Sequence, residues 1–146
     1  MASMGVVTAL VRAAFLVDAV YAASAREHGI TSQQGQLLCV LMGREYAMGE
    51  LSGVLGLARS SLSGLVDRTE RIGLVHRFPD PDDTRGVRVG LTGRGGVLAA
   101  AFYDETCRRI DGLPAGLTGP ERVALAGLLA RVVLDNEVPV VFPDPT

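Results

Sequence analysis

The feature of this sequence that most constrains its fold is a change of hydrophobic period between residues 48 and 91. Up to Gly73, apolar residues recur at helical spacing in two short segments that Gly56 separates. After Gly73, apolar and polar residues alternate, which is the period of a β-strand. Two short helices joined by a glycine turn predict a helix-turn-helix at residues 47–73. The alternation predicts a β-hairpin at 75–91, with strands at 75–78 and 87–91 and a turn at 79–84.

The second helix of this pair has two chemically different faces. Its apolar face is predicted to carry Leu62, Leu65, Val66, Thr69 and Ile72, and the opposite face carries Ser60, Ser61, Ser63, Gly64, Asp67, Arg68 and Arg71. Small hydroxyl residues near a helix N-terminus allow close approach to DNA base edges, and the N–H groups there favour phosphate. The alternative is that the serines cap the helix while the arginines are solvated or paired with Asp67 and Glu70.

Further helices are predicted on both sides of this unit. Thr31 or Ser32 caps a helix that reaches Met42. A glycine-rich start after Thr92 leads into a helix that is firm over 97–110, and Thr118 with Glu121 has the capping-box spacing of a last helix. The length of 146 residues and 48% hydrophobic content favour one domain. We expect a mainly α fold with a small β-hairpin.

Residues 4–28 are the segment in which membrane insertion or export must be weighed. The charged residues between Met4 and Ala25 are Arg12 and Asp18, so each uncharged stretch is well short of the ~18 residues of a membrane span. No basic residue precedes the apolar run, whereas a secretory signal begins with a positive region. We therefore expect a helix buried on more than one side, with a dimer interface as the second side and no membrane association.

The charged and metal-binding residues limit the classes of function. All 14 positive side chains are arginine and face 16 acids, so the net charge is −2 and any nucleic-acid surface must be local. Cys39 and Cys107 have no CxxC spacing, and with two histidines they argue against a zinc site or a disulfide framework. We expect no metal, no cofactor and a cytoplasmic location. No catalytic motif such as GxSxG, a P-loop or HExxH is present, which argues against an enzyme.

Six short motifs lie in order between residues 49 and 92: Gly49-Glu50-Leu51, residues 56–63, 65–68, 72–75, Asp83-Thr84-Arg85 and residues 89–92. In this order and spacing they resemble the MarR family of bacterial winged-helix regulators, over about residues 31–96. The resemblance implies a homodimer whose terminal helices, about 4–28 and 97–136, interlock. It also implies a recognition helix in the DNA major groove and a hairpin, the wing, whose tip reaches the minor groove. Many members are repressors released by a small aromatic ligand or by oxidation.

The resemblance and the residue chemistry together nominate a DNA-binding set: Arg59, Ser60, Ser61, Ser63, Arg68, Arg85 and Arg88. We expect Asp83 to orient Arg85 through a bidentate ion pair, and the alternative is an ordinary ion pair at the hairpin tip. Two residues depart from the family pattern. Ala58 stands where a capping serine is common, so Ser60 is a candidate cap instead. Gly64 removes a contact and lowers helix propensity by roughly 1 kcal/mol.

In the family, a ligand usually binds between the first two helices and the winged domain. Side chains that could reach such a cavity here are Arg12, Tyr21, His28, Cys39 and Met42. Arg12 could hold the carboxylate of an anionic effector, although an ion pair with Asp18 or with a second subunit is the favoured alternative. His28 also fits a simple helix-end residue. Cys39 is expected in the core, while Cys107 lies beside two arginines that could activate its thiol.

The sequence thus predicts a transcriptional regulator that binds double-stranded DNA sequence-specifically. It would act as a ligand-responsive repressor, working as a homodimer on a pseudo-palindromic operator, with a small aromatic or anionic effector. The alternative is a winged-helix dimer that binds a ligand or a protein and has lost specific DNA binding. Three features keep that alternative open: Ala58, Gly64, and a count of only seven arginines against five acids between residues 59 and 94.

Overall fold

Along residues 3–139 and 141–145, which the computed structural model describes, helices precede, interrupt and follow three short strands. The elements are α1 (Val6–Glu27), α2 (Ser32–Leu41), β1 (Tyr46–Ala47), α3 (Met48–Leu55), α4 (Arg59–Arg71), β2 (Val75–Asp80), β3 (Asp83–Leu91), α5 (Gly93–Asp111) and α6 (Gly119–Asp135). Helices α3 and α4 are the predicted helix-turn-helix. The mainly α fold with a small hairpin is therefore confirmed.

The three strands form one antiparallel sheet in the order β1-β3-β2. Val75 pairs with Leu91 at the base of the hairpin, and Tyr46 of β1 pairs with Val89. The turn between β2 and β3 is tighter than the predicted 79–84, because the strands continue to Asp80 and resume at Asp83. The short strand β1 is an element that hydrophobic periodicity did not predict.

The core lies where α2, α4 and α5 meet the base of the hairpin. Its fully buried side chains include Leu37, Leu38, Leu51, Leu62, Leu65, Val66, Val75, Val89 and Phe102. The predicted apolar face of α4 is buried except at Ile72, which is 42% exposed. Ile72 is the C-cap of α4, and Gly73 follows with φ 79. The helix therefore ends at this point, and the Ile72 side chain does not reach the core. Met42, the C-cap of α2, is also exposed, because α2 ends at Leu41.

Threonine side chains begin three of the helices. Thr31 and Thr118 form capping boxes with Gln34 and Glu121, and Thr92 Oγ1 accepts a hydrogen bond from the Gly95 N–H at 3.0 Å. The Thr92 cap starts α5 at Gly93, earlier than the firm helix predicted from residue 97. Helix α4 differs from these helices: its N-cap is Ala58, without a side-chain hydrogen bond, so the expected shift to a Ser60 cap is wrong.

Helices α1 and α6 leave most of their apolar residues uncovered. Only Ser24 and Ala25 are buried on α1, and no residue of α6 is buried. The buried end of α1 is fixed to α5 by a hydrogen bond from Thr106 Oγ1 to Ser24 Oγ at 2.9 Å. By length and composition alone, α1 could cross a membrane. Both helices therefore present an apolar surface that the single chain does not cover.

Candidate nucleic-acid interface and ligand cavity

The N-terminal half of α4 presents small polar side chains at the surface. Arg59, Ser60 and Ser61 are exposed, and Ser63 is half-buried at the side of the helix. Because the N-cap is Ala58, no capping side chain accepts a hydrogen bond from the first-turn N–H groups of α4. A phosphate oxygen can accept hydrogen bonds from such N–H groups.

A groove of about 720 Å³ separates this end of α4 from the hairpin. Arg59 and Ser63 line it on the helix side, and Arg85 and Val87 line it on the hairpin side. Arginines on opposite walls can contact two points of one phosphate backbone or hold it between them. Acidic residues, Asp83 among them, also line the groove. Their negative charge confines the positive potential of the groove to the surroundings of the arginines.

Arg77 fixes the hairpin to α4, a role that the sequence did not indicate. Its Nη1 lies 2.6 Å from Asp67 Oδ1 and 3.2 Å from Glu70 Oε1, and its Nη2 donates to the Ser63 carbonyl at 3.3 Å. The Arg77 backbone N–H also donates to Glu70 Oε2 at 2.9 Å. Asp67 and Glu70 therefore hold β2 against α4, instead of pairing with the arginines on their own helix. These contacts tie the two walls of the groove together.

The two hairpin arginines of the predicted DNA-binding set have different surroundings. Arg85 is exposed near the tip. Arg88 is 21% exposed, lies 3.7 Å from Asp80 Oδ2 and donates from Nη2 to the Glu45 carbonyl at 3.1 Å. Arg88 thus ties β3 to the segment before β1, while Arg85 projects its charge from the tip.

Asp83 acts on Arg85 through the backbone. Its Oδ1 accepts a hydrogen bond from the Arg85 N–H at 3.0 Å, which shapes the tip as an Asx turn. The ion pairs found among the described residues do not include the expected bidentate pair between Asp83 and the Arg85 guanidinium. That prediction is wrong for this structure, in which Asp83 orders the backbone at Arg85 and does not pair with its guanidinium. The Arg85 guanidinium is consequently left for an outside partner.

The other two arginines of the set lie across glycines. A Cβ on Gly49 would be 3.0 Å from Arg59 Nη2, and one on Gly64 would be 3.2 Å from Arg68 Nη1. Gly64 thus leaves room for the Arg68 side chain to lie back along the helix. Gly64 lowers the helix propensity of α4, and the absence of its side chain allows the Arg68 guanidinium to lie close to the exposed face of the helix.

A further arginine, outside the predicted set, lies in the segment before β1 and contacts the first turn of α3. The Arg44 guanidinium lies 3.8 Å above the Tyr46 ring, and its Nη2 lies 3.1 Å from Glu50 Oε2. This hydrogen bond holds the pKa of Glu50 below its usual value. Glu50 also accepts from the Ala47 N–H at 3.1 Å and so caps α3 in place of a side chain on Ala47.

A cavity of about 210 Å³ lies between α1, α2 and α3. Two of the five predicted ligand-binding residues, Tyr21 and Cys39, line it together with Gln36, Val40, Val54, Leu55, Val141 and Phe142. None of these described lining residues carries a charge at neutral pH. Burial raises the pKa of the Cys39 thiol to about 12 and raises that of Tyr21 above its usual value. The cavity can therefore contact an apolar ring and offer neutral hydrogen-bonding groups.

The remaining ligand candidates, Arg12, His28 and Met42, do not line the part of this cavity that the structure describes. Arg12 is exposed on α1, and Met42 is exposed because α2 has ended. His28 is the C-cap of α1; its Nδ1 lies 2.8 Å from the Ser24 carbonyl oxygen, and its ring meets Phe102 edge-on. These three residues therefore do not contribute to the described part of this cavity, since each lies at the end or on the exposed face of its helix, and their part in ligand binding stays a prediction.

The cysteines differ in burial. Cys39 is buried in the core, as expected, and Cys107 is half-buried; both thiols are free. Within residues 3–139 and 141–145, no group of three or more His, Cys, Asp or Glu residues is placed to hold a metal ion.

Comparison with known proteins extends these observations. The model of the MarR family matches residues 30–87. The transcriptional repressor NicR of Pseudomonas putida is 32% identical over 121 residues, which cover 82% of this chain and 76% of NicR. The structure of a MarR cysteine-to-serine mutant from Escherichia coli, complexed with operator DNA, is similar with a TM-score of 0.74 and 26% identity, covering 86% of this chain and 91% of that chain.

NadR in complex with 4-hydroxyphenylacetate is also similar, with a TM-score of 0.71 and 25% identity over 90% of this chain and 94% of that chain. These likenesses extend beyond the winged helix to the flanking helices. Together with the identity to NicR over most of both chains, they show that this chain belongs to the MarR family of transcriptional regulators.

Proposed function

We propose that this chain is a ligand-responsive repressor that binds a pseudo-palindromic operator as a homodimer. The observation that carries the proposal is the groove between α4 and the hairpin, which Arg59 and Arg85 line from opposite sides. A helix with small polar residues beside such a groove can enter the major groove while the hairpin follows the backbone to the adjacent minor groove. The similarity to a MarR structure complexed with operator DNA supports this placement.

Each residue of the predicted set has a role in this proposal. Ser60, Ser61 and Ser63 approach base edges, and Arg59 and Arg68 hold phosphates or a guanine. Arg85 enters the minor groove, where a narrow groove strengthens the attraction for its charge. Arg88 supports the wing through its contacts with Asp80 and the Glu45 carbonyl. It would contact the DNA backbone only from the side of the wing.

The homodimer is proposed from the uncovered surfaces of α1 and α6. Phe15 is 71% exposed and Leu128 is 60% exposed, and other large apolar residues surround them on both helices. A soluble protein rarely leaves such a surface open to water, so a second copy is the proposed cover. In this arrangement residues 31–96 bind DNA, 4–28 and 97–136 form the dimer interface, and the protein works in the cytoplasm.

The proposed effector is a small, uncharged aromatic molecule. A dry apolar cavity of 150 Å³ is large enough for benzene, so about 210 Å³ suits one substituted ring. The similar NadR structure holds an aromatic acid. Here the described lining has no cationic group to offset the desolvation of a carboxylate, which favours a phenol over an acid. Gln36 and Tyr21 are the neutral partners for its hydroxyl group.

Fluorescence anisotropy tests the DNA-binding part of the proposal. The protein is titrated onto labelled DNA from upstream of its own gene and onto a random duplex, at several salt concentrations. We expect tighter binding to the upstream DNA, and Arg85→Ala to reduce affinity and lower the salt slope by about one per subunit. Arg108→Ala is the matched control, since Arg108 is an exposed arginine on α5 that pairs with Glu105.

The second candidate is a winged-helix dimer without specific DNA binding. It is favoured by one observation: Arg77 and Arg88 are already paired with acids, and further acids line the groove. In that case both duplexes bind equally weakly, and Arg85→Ala changes neither affinity nor salt slope.

A further inference from the structure

The walls of the proposed effector cavity come from two different parts of the chain. Six of its described lining residues lie on helices α1, α2 and α3: Tyr21, Gln36, Cys39, Val40, Val54 and Leu55. The other two, Val141 and Phe142, belong to the segment after α6, whose described residues form no helix or strand. The C-terminal segment is therefore one wall of the cavity.

Phe142 is the residue of this segment that packs against the helices. Among the described residues after α6, Phe142 alone is half-buried, and the others are exposed. Its ring centroid lies 4.7 Å from that of Tyr103 on α5 and 6.0 Å from that of Tyr21 on α1. The Tyr103 hydroxyl also donates a hydrogen bond to the Pro143 carbonyl. Aromatic pairs at these separations attract one another, so these contacts hold the Phe142 ring in place on the α5 side of the cavity.

The Phe142 ring limits the space that a ligand can use in this direction. Phe142 is the one described residue that lines both the cavity of about 210 Å³ and a second cavity of about 470 Å³, on the side of Cys107 and Ile110. A cavity of about 150 Å³ holds benzene, so two linked rings need roughly twice that volume. The first cavity is too small for them, and the space toward α5 into which a second ring could extend lies beyond Phe142.

We propose that Phe142 limits the effector to a single substituted ring, by closing the cavity on the α5 side. This inference rests on the effector site proposed above and names a residue that determines its specificity. With Phe142 in place, a one-ring effector contacts this wall directly. Truncation of a buried aromatic side chain leaves a space that its neighbours fill only in part. Phe142→Ala therefore extends the cavity by about one ring, whether or not the rest of the segment keeps its position.

Two phenols of different length test the size limit in the full-length protein. The probes are 4-fluorophenol and 4-fluoro-4′-hydroxybiphenyl, each titrated while its ¹⁹F NMR signal is followed. The wild type should bind 4-fluorophenol at least as tightly as the biphenyl, because a second ring that projects from the cavity stays in water. Phe142→Ala should bind the biphenyl at least about tenfold more tightly than the wild type does, because it buries the second ring. It should bind 4-fluorophenol about two- to tenfold more weakly, the value of one aromatic contact.

An unchanged ratio of the two affinities in Phe142→Ala would overturn the proposal. Val138→Ala is the matched control, because Val138 is an exposed apolar residue of the same segment outside the described lining. It should keep both wild-type affinities. A gain in biphenyl affinity in Val138→Ala as large as that in Phe142→Ala would also overturn the proposal, since any change in the segment would then have the same effect.

A variant on the opposite wall shows whether the probes bind in this cavity. Val54 lines it from α3, so Val54→Phe places an additional ring there, and we expect loss of 4-fluorophenol binding. An affinity for 4-fluorophenol that Val54→Phe leaves unchanged would place the probe elsewhere and contradict the inference.

Operator anisotropy with the same preparations separates failure of this inference from failure of the proposed function. Suppose that the wild type binds DNA specifically and loses 4-fluorophenol on Val54→Phe, while Phe142→Ala keeps the wild-type ratio of affinities. The repressor and its effector site then stand, and the size limit is wrong. If 4-fluorophenol binds neither the wild type nor any variant, the cavity is no effector site and the inference is overturned with it, whereas specific DNA binding is retained.

Discussion

At the scale of single residues, burial decides the chemistry of Cys39. The thiol is 4% exposed, and burial raises its pKa to about 12, whereas an unfolded thiol titrates near 8.5. The folded state therefore keeps a proton that the unfolded state loses. The associated stability is complete below about pH 8.5 and is lost as the pH rises toward 12. At neutral pH the thiol is a core group rather than a nucleophile.

We expect Cys39→Ala to weaken the alkaline loss of stability. Between pH 9 and 10, the unfolding free energy of the wild type should fall more steeply than that of the variant, by up to about 1.4 kcal/mol per pH unit. Urea unfolding followed by circular dichroism measures both slopes. Val40→Ala controls for loss of packing next to Cys39, and should lower stability without changing the slope. Parallel slopes for wild type and Cys39→Ala would show that the thiol ionises normally in the folded protein.

The core role of Cys39 was predictable, but the roles of the wing arginines were not. Cys39 lies within an apolar stripe, so helical spacing alone places it inside. Arg77, Arg85 and Arg88 all occupy one hairpin, and the family resemblance separated Arg85 and Arg88 from Arg77 without showing that Arg88 would be paired. Their difference arises from partners elsewhere in the chain: Asp67 and Glu70 on α4 for Arg77, and the Glu45 carbonyl for Arg88.

At the scale of elements, two helical glycines should respond in opposite ways to alanine. A Cβ on Gly64 of α4 would meet only the flexible end of Arg68, at 3.2 Å. A Cβ on Gly95 of α5 would lie 1.8 Å from the Leu74 carbonyl oxygen, which is backbone. Gly64→Ala should raise the unfolding free energy by about 0.5–1 kcal/mol through helix propensity. Gly95→Ala should lower it by more than about 2 kcal/mol, because α5 must shift.

Urea unfolding of both variants measures these effects, with each serving as the control for the other. A loss of stability in Gly64→Ala would mean that Arg68 cannot move and that its contact over Gly64 is part of the fold. Anisotropy on operator DNA then shows whether displacing Arg68 changes binding as well as stability.

Prediction of helices and strands from the sequence succeeded where the spacing of apolar residues within a single element was enough to define it. The apolar residues of α4 predicted its buried face from Leu62 to Thr69, and failed at Ile72, where Gly73 turns the chain. Strand β1 has two residues and exists because Tyr46 pairs with Val89, far along the sequence. Phe142 packs on Tyr21 of α1 and Tyr103 of α5, so no local pattern within the proline-containing C-terminal segment indicates its position.

At the scale of the whole molecule, the α1 and α6 surface should hold two copies together. Phe15→Glu places a charge at a position that is 71% exposed in the single chain and would be desolvated in the dimer. We expect this variant to sediment as a monomer at about 10 μM while the wild type sediments as a dimer, with the helical circular dichroism retained. Ile72→Glu, at an exposed apolar residue outside both proposed interface segments, should remain dimeric. A dimeric Phe15→Glu protein would place the interface elsewhere.

The most direct test of the account is selection of DNA by the wild-type protein from a library of randomised duplexes. Two recognition helices related by a two-fold axis should enrich an inverted repeat whose half-sites are centred about one helical turn, roughly 10 base pairs, apart. The same selection with Arg85→Ala should retain the major-groove positions and lose preference at the flanks that the wing reaches. An enriched inverted repeat of this spacing is the result that the account predicts. No enriched sequence, or a single unpaired half-site, would contradict it.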